Sequence, residues 1–199
     1  MSAAGPRVIK LGGSLLDWPQ WPDAFRRWLA LQAPAANILI VGGGALVEQL
    51  RRFDSQQPMA PETAHWLSIR AMSLTAEIVA ERLPEARLVC SLEVVASAKS
   101  GELKIFEVES LLRAEQQQAE ALPCSWEVTS DSISARVAAA LNARELVLLK
   151  STLPEGPASR EAWSRAGFVD AYFSRVAFCA PLRCVNLRNP EFSQRVIEA

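Results

Sequence analysis

The chain has 199 residues, half of them hydrophobic, with 21 Lys and Arg against 22 Asp and Glu. That length suits one domain with a sizeable core, or at most two closely fused lobes, and a formal net charge of -1 supplies no global basic field to draw it to nucleic acid or an anionic membrane. No apolar run reaches the ~18 residues that a membrane span needs, and the first seven residues enter a strand pattern without the charged and apolar regions of a signal peptide.

In chain order, strand-like and helix-like segments alternate. Arg7 to Leu11 is a short β-type run ended by Gly12-Gly13. Trp21 to Leu31 has helical spacing, with Trp21, Phe25, Trp28 and Leu29 to one side. Asn37 to Val41 is wholly apolar after its first residue and ends in Gly42-Gly43-Gly44. Ala45 to Phe53 follows as a helix with Leu46, Leu50 and Phe53 in phase. Beyond the loop of Pro58 and Pro61, Glu62 to Leu83 is a long helix stopped by Pro84. Leu88 to Leu92 and Lys104 to Val108 are further strands, and Leu111 to Ala121 an exposed helix. Trp126 to Val128 leads, as a strand, into a helix from Ser132 to Leu141 that Ser130 or Asp131 would cap. Glu145 to Lys150 is a strongly apolar strand. Past it come a Pro/Gly loop, a short helix at Arg160 to Arg165 and a last strand at Arg183 to Leu187.

Such alternation predicts crossover connections and a mainly parallel sheet, and the continuous apolar strands predict helices on both of its faces. The expected fold is a three-layer αβα sandwich, one domain over residues 1–199. Arg26-Arg27 and Arg51-Arg52 are taken as solvated helix faces. The four cysteines contain no C-x-x-C pair, and Cys90, Cys124 and Cys184 stand in apolar, strand-like runs. They are expected to be buried, reduced thiols of a cytoplasmic protein. With His65 as the single histidine, no His-rich metal site is expected, and no G-x-S-x-G elbow accompanies it.

Three motifs carry chemistry. In Lys10-Leu11-Gly12-Gly13-Ser14, a lysine ends a strand and two glycines let backbone N–H groups approach a phosphate. In Gly42-Gly43-Gly44-Ala45, a glycine turn runs into a helix, aiming free N–H groups and the positive dipole end at one spot. In Thr129-Ser130-Asp131-Ser132, a carboxylate stands at a helix start, where it would orient lysines. Each has a plainer structural reading as a turn or a cap. Together they lie at strand ends, where open parallel sheets bind ligands. Neither a phosphate loop of the G-x-x-x-x-G-K-[ST] kind nor a G-x-G-x-x-G is present.

These motifs, in this order from Val8 to about Ser151, resemble the amino-acid kinase superfamily. The resemblance implies a Mg2+- and ATP-dependent phosphotransferase. Lys10 would neutralise the transferring phosphoryl group, and the N–H groups of Gly13 and of Gly43 or Gly44 would hold its oxygens. Asp131 would position the cations. It also implies that Gly12, Ser14, Thr129 and Ser130 serve the nucleotide phosphates, that Gly42, Gly43, Gly44, His65 and Arg70 face the acceptor, and that the protein is a homo-oligomer. Residues 1–125 would form the acceptor-side half and 126–199 a shortened nucleotide-side half.

A finer resemblance, on Ala64-His65-Trp66-Leu67, Ala71-Met72, Trp126 to Ile133 and Leu148-Leu149-Lys150-Ser151, is to the branch acting on an aminomethylfuran phosphate in methanofuran biosynthesis. Two departures accompany it. Relatives often have Thr-Asp where this chain has Lys150-Ser151, and a later lysine in a Gly-Gly-Met context has no counterpart here. Lys150 would then supply the missing charge. A carboxylate-phosphorylating kinase and a non-catalytic nucleotide-binding regulator of the same fold are the alternatives.

Overall fold

The computed structural model describes residues 5–198. Five strands lie parallel with one another and with a sixth: β1 (Arg7–Leu11), β2 (Asn37–Val41), β3 (Arg87–Val89), β4 (Leu103–Phe106), β5 (Glu145–Lys150) and β6 (Leu182–Asn186). β7 (Gln194–Ile197) joins antiparallel to β6, giving the order β3-β4-β2-β1-β5-β6-β7. β1 sits between β2 and β5 in the centre, with Lys10 level with Ile40 and Leu148.

The strand side chains alternate between two cores. Val8, Ile38, Ile40, Leu146 and Leu148 face α6 (Ser130–Ala140), α5 (Glu109–Glu115) and Trp163. Ile9, Leu11, Leu39, Val41, Val147 and Leu149 face α1 (Trp21–Ala30), whose Trp21, Phe25 and Trp28 are buried as the spacing predicts. The long helix α3 (Pro61–Arg82) serves both, with Ile69 and Met72 in the first core and Ala76 and Val79 in the second. The αβα sandwich is therefore present, and continuous apolar strands are its cause, since each face needs a cover. Among the described residues, no helix is long and apolar enough to cross a membrane.

Several elements differ from expectation. β3 stops at Val89, because Ser91 accepts the N–H of Val94 and starts α4 (Leu92–Ala96) instead. α5 ends at Glu115, where the buried carboxylate turns inward to Arg136, and the glutamines after it wind into turns. No strand forms at Trp126–Val128, so the third motif follows a turn rather than a strand end. α6 is capped by Thr129, whose hydroxyl accepts from the N–H of Asp131. β7 was not anticipated. α2 (Gly44–Gln56) buries none of its residues fully, and Phe53 is 63% exposed. Of the cysteines, Cys90 and Cys179 are exposed and Cys124 half-buried, against the expected burial. Cys184 alone is buried, and burial pushes its thiol up to about 12. α7 (Arg160–Arg165) completes the helices.

Candidate active site

The carboxyl ends of β1 and β2 each give out into glycine, and the two turns pack against one another. A Cβ on Gly13 would come within 2.5 Å of the Gly44 nitrogen, so only glycine lets the loops approach this closely. Gly44 has φ +52°, a left-handed conformation that side chains resist. Among the described residues, the N–H groups of Gly13, Gly43 and Gly44 donate to no protein acceptor. They stand around one cavity of about 510 Å³, and α2 begins at its wall with its dipole's positive end.

Beneath the turns lies an ionic cluster. Lys10, 5% exposed, places its Nζ 2.9 Å from Asp131 Oδ1, off the hydrogen-bonding direction. Lys150 donates to Asp131 Oδ2 at 2.8 Å, donates also to the Phe168 carbonyl, and lies 4.6 Å from the Phe168 ring centroid. Burial drives the Lys10 pKa below the ordinary lysine range against the pull of Asp131. Burial likewise pushes the Asp131 carboxyl up, but the two lysines more than reverse this and hold it down at about 2. Asp131 is thus the shared ionised partner of both lysine ammonium groups.

The α6 N-terminus that carries Asp131 is held from outside by Asp170. One carboxylate oxygen, Oδ2, accepts the N–H groups of Thr129 and Ser132 at 2.9 Å each and the Thr129 hydroxyl at 2.8 Å. The other accepts the Ser132 hydroxyl. An anion among the free N–H groups of a helix start is electrostatically favoured. Asp170 sits in the irregular stretch after α7, where no periodicity marks it, and sequence reasoning missed it.

The cavity brings together Lys10, Gly12, Gly13, Ser14, Gly43, Gly44, His65, Thr129, Ser130 and Lys150. Asp131 lies behind the wall and reaches it through the lysines. Three expectations need correction. Arg70 points to the other side of α3, into a separate hollow with Trp66 and Arg113. Gly42 does not line the cavity; it fits between the Gly13 nitrogen and Ser130 Oγ, 2.9 and 3.1 Å from where a Cβ would stand. Thr129 does line it, but its N–H and hydroxyl are already committed to Asp170.

Two further residues enter from α2. Arg51 and Arg52, expected as solvated face, line the cavity. Arg51 lies 4.4 Å from the Trp126 ring centroid, and Trp126 donates its indole N–H to Asp54 at 2.7 Å. The missed signal was the glycine turn itself, because a helix that starts at a site presents its first turns to the ligand. His65 is buried, edge-on to Trp66 at 5.2 Å, and burial lowers its pKa against the weaker pull of Glu62, favouring the neutral imidazole.

Solved structures share this architecture. UMP kinase from Bacillus anthracis superposes with a TM-score of 0.65 at 15% identity, over 94% of this chain and 89% of that one. UMP kinase from Ureaplasma parvum gives 0.62 at 14%, over 95% and 92%. Aspartate kinase from Synechocystis gives 0.58 at 14%, over 90% of this chain and 38% of the other. At these identities the likeness is one of fold. By sequence, no curated protein is significantly similar to the chain. The profile of the amino acid kinase family, however, matches residues 6–152, the stretch that holds both glycine turns, Lys10, Asp131 and Lys150, and the chain belongs to that family.

Proposed function

We propose that the protein is a kinase that transfers the γ-phosphoryl group of ATP to a small phosphate monoester. Family membership supports a phosphotransferase. The observation that carries the reading is the convergence of Lys10 and Lys150 on Asp131 beneath the unpaired N–H groups of Gly13, Gly43 and Gly44. Phosphoryl transfer asks for alignment and charge stabilisation more than for covalent help. An anionic oxygen of the acceptor would attack the γ-phosphorus, the bond to the β–γ bridging oxygen would break, and ADP would leave with that electron pair. Such an acceptor needs no general base, because its attacking oxygen carries no proton to remove.

Residues 126–199 would serve the nucleotide and residues 1–125 the acceptor. His65, Arg51 and Arg52, which line the cavity, would belong to the acceptor side. The finer assignment, to [5-(aminomethyl)furan-3-yl]methyl phosphate in methanofuran biosynthesis, rests on the resemblance of Ala64 to Leu67 and Trp126 to Ile133. A cavity bounded by Trp126 suits a flat ring. Both Asp131 oxygens face lysines, and among the described residues no group of three or more His, Cys, Asp or Glu side chains could hold a metal ion. Magnesium would therefore enter with the nucleotide, with few ligands from the protein. Self-association belongs to the same reading, supported by Leu74 and Ile78 of α3, which are 54% and 56% exposed.

Thermal melting with Mg-ATP, for the wild type and Lys10→Ala, tests the reading. Ligand at ~100 times its dissociation constant adds roughly 2.7 kcal/mol, a rise of several degrees at this size. The expected result is a rise in the wild type that Lys10→Ala weakens, followed by ADP release on adding the phosphate monoester. No rise with ATP or GTP would favour the non-catalytic alternative. A hydroxylamine-trapped acyl phosphate from acetylglutamate or aspartate would favour a carboxylate acceptor.

A further inference from the structure

Lys10 and Lys150 both spend themselves on Asp131, whereas a nucleoside triphosphate brings several negative charges to the same place. A third cation stands nearby, on the flank away from α2 and α3. Leu187 donates its N–H to the Lys150 carbonyl at 2.9 Å, which keeps the chain beyond β6 beside the end of β5. The next residue, Arg188, has its own N–H fixed by the Asn186 side chain at 3.0 Å. Its guanidinium reaches across the end of β5 to the first glycine turn, where Nη2 donates to the Ser14 carbonyl at 3.4 Å. It lies 5.7 Å from the Trp18 ring centroid.

Arg188 is exposed, and among the described residues no carboxylate pairs with its guanidinium. The contact it does make is a long one, to a neutral carbonyl, and leaves most of its five donors unused. Ser14 and Ser151 meet beside it, their hydroxyl oxygens 3.4 Å apart. Lys10, Lys150 and Arg188 thus stand at the carboxyl edges of three adjacent strands, β1, β5 and β6. A fork of donors over the turn that presents the Gly13 N–H has the geometry to clamp phosphate oxygens bidentately.

We infer that Arg188 is a nucleotide-binding residue that holds the terminal phosphates of the donor nucleotide over the Gly12–Ser14 turn. This rests on the kinase reading above and adds to it a charge from a segment that the family profile, ending at residue 152, does not reach. The bound nucleotide would replace the Ser14 carbonyl as the partner of the guanidinium.

The test is calorimetric titration of the full-length chain with Mg-ATP, Mg-ADP and AMP, for the wild type, Arg188→Ala, Arg188→Lys and Lys10→Ala. Losing a charge-assisted contact should weaken Mg-ATP and Mg-ADP about tenfold or more in Arg188→Ala, leave AMP unchanged, and be partly restored in Arg188→Lys. Unligated melting should be unaltered, as expected for an exposed side chain. Unchanged Mg-ATP affinity in Arg188→Ala, alongside a loss in Lys10→Ala, would overturn the assignment while leaving the kinase reading intact. An equal loss for AMP and ATP would overturn it too, by separating Arg188 from the terminal phosphates. A wild type that binds none of the three nucleotides would remove both.

Discussion

Two lysines on one aspartate form an unequal cluster, and removing either sign has different consequences. Lys10→Met leaves a balanced pair of Asp131 and Lys150 and relieves the cost of burying a second cation. Its melting temperature should therefore equal or exceed that of the wild type, while turnover falls by roughly 10²–10³, the usual loss when one preorganised charge is removed. Asp131→Asn instead leaves two cations side by side and should lose about 3 kcal/mol of stability, as when one partner of a buried ion pair is deleted. Parallel melting curves and turnover assays of the two variants check both halves. The pH dependence follows from the same residues. Asp131, at about 2, stays ionised, and its contribution to stability is complete above the ordinary aspartate range and is lost as pH falls towards 2. Lys10 is depressed by burial, so its charge is lost below the ordinary lysine pKa. The sign for stability is opposite there: the unfolded chain binds the extra proton, and stability rises with pH through that interval. Turnover should meanwhile fall on the alkaline side before a free lysine would titrate. A pH–rate profile whose alkaline limb lies at or above the ordinary lysine pKa would contradict this.

At the scale of elements, the site depends on how α6 begins. Lys10 of β1 and Lys150 of β5 meet the Asp131 carboxylate, while the turn that carries it is held by Asp170, which gathers two N–H groups and two hydroxyls. Asp170→Asn removes the charge and offers a donor where acceptors are needed. It should lower stability by about 1–2 kcal/mol, read by urea denaturation, and lower turnover as well, because the helix start carries the carboxylate that both lysines use. Much of this arrangement was legible beforehand. The apolar runs at Ile38 to Val41 and Leu146 to Leu149 could only be covered strands, and the glycine turns at the ends of β1 and β2 marked one wall of the cavity. Asp131 was expected beside the strand-end lysines, and the structure places it between Lys10 and Lys150. Asp170 was not legible, since its partners are backbone groups forty residues away along an irregular stretch. Arg70 failed for a different reason. Helical spacing puts Arg70 and His65 on faces that diverge, and the sequence shows which residues share a face without showing which face meets the ligand. Trp126 to Val128 read as a strand from its apolar ends, yet it formed a turn that Val128 closes by donating its N–H to the Ser125 carbonyl.

For the whole molecule, the order β3-β4-β2-β1-β5-β6-β7 divides labour across the sheet. One wall of the cavity comes from α2 and α3, and the flank past β5 is supplied by a segment of fewer than fifty residues that still provides the Phe168 carbonyl, Asp170 and Arg188. That segment was expected to be short, and its missing later lysine left a gap in positive charge. The structure brings Lys150 into the cluster and Arg188 to its edge.

The central place of β1 has a consequence for synthesis. Its five buried residues pair on one side with β2, which follows closely, and on the other with β5, which is made last but two of the strands. A growing chain therefore carries an apolar, hydrogen-bond-hungry strand edge while residues 12–144 are made, and closes it only when residue 149 has left the ribosome. Lys10 sits on that open edge throughout, so the nascent protein can neither assemble the lysine–aspartate cluster nor cover this strand edge until the helix bearing Asp131 and the strand after it arrive together.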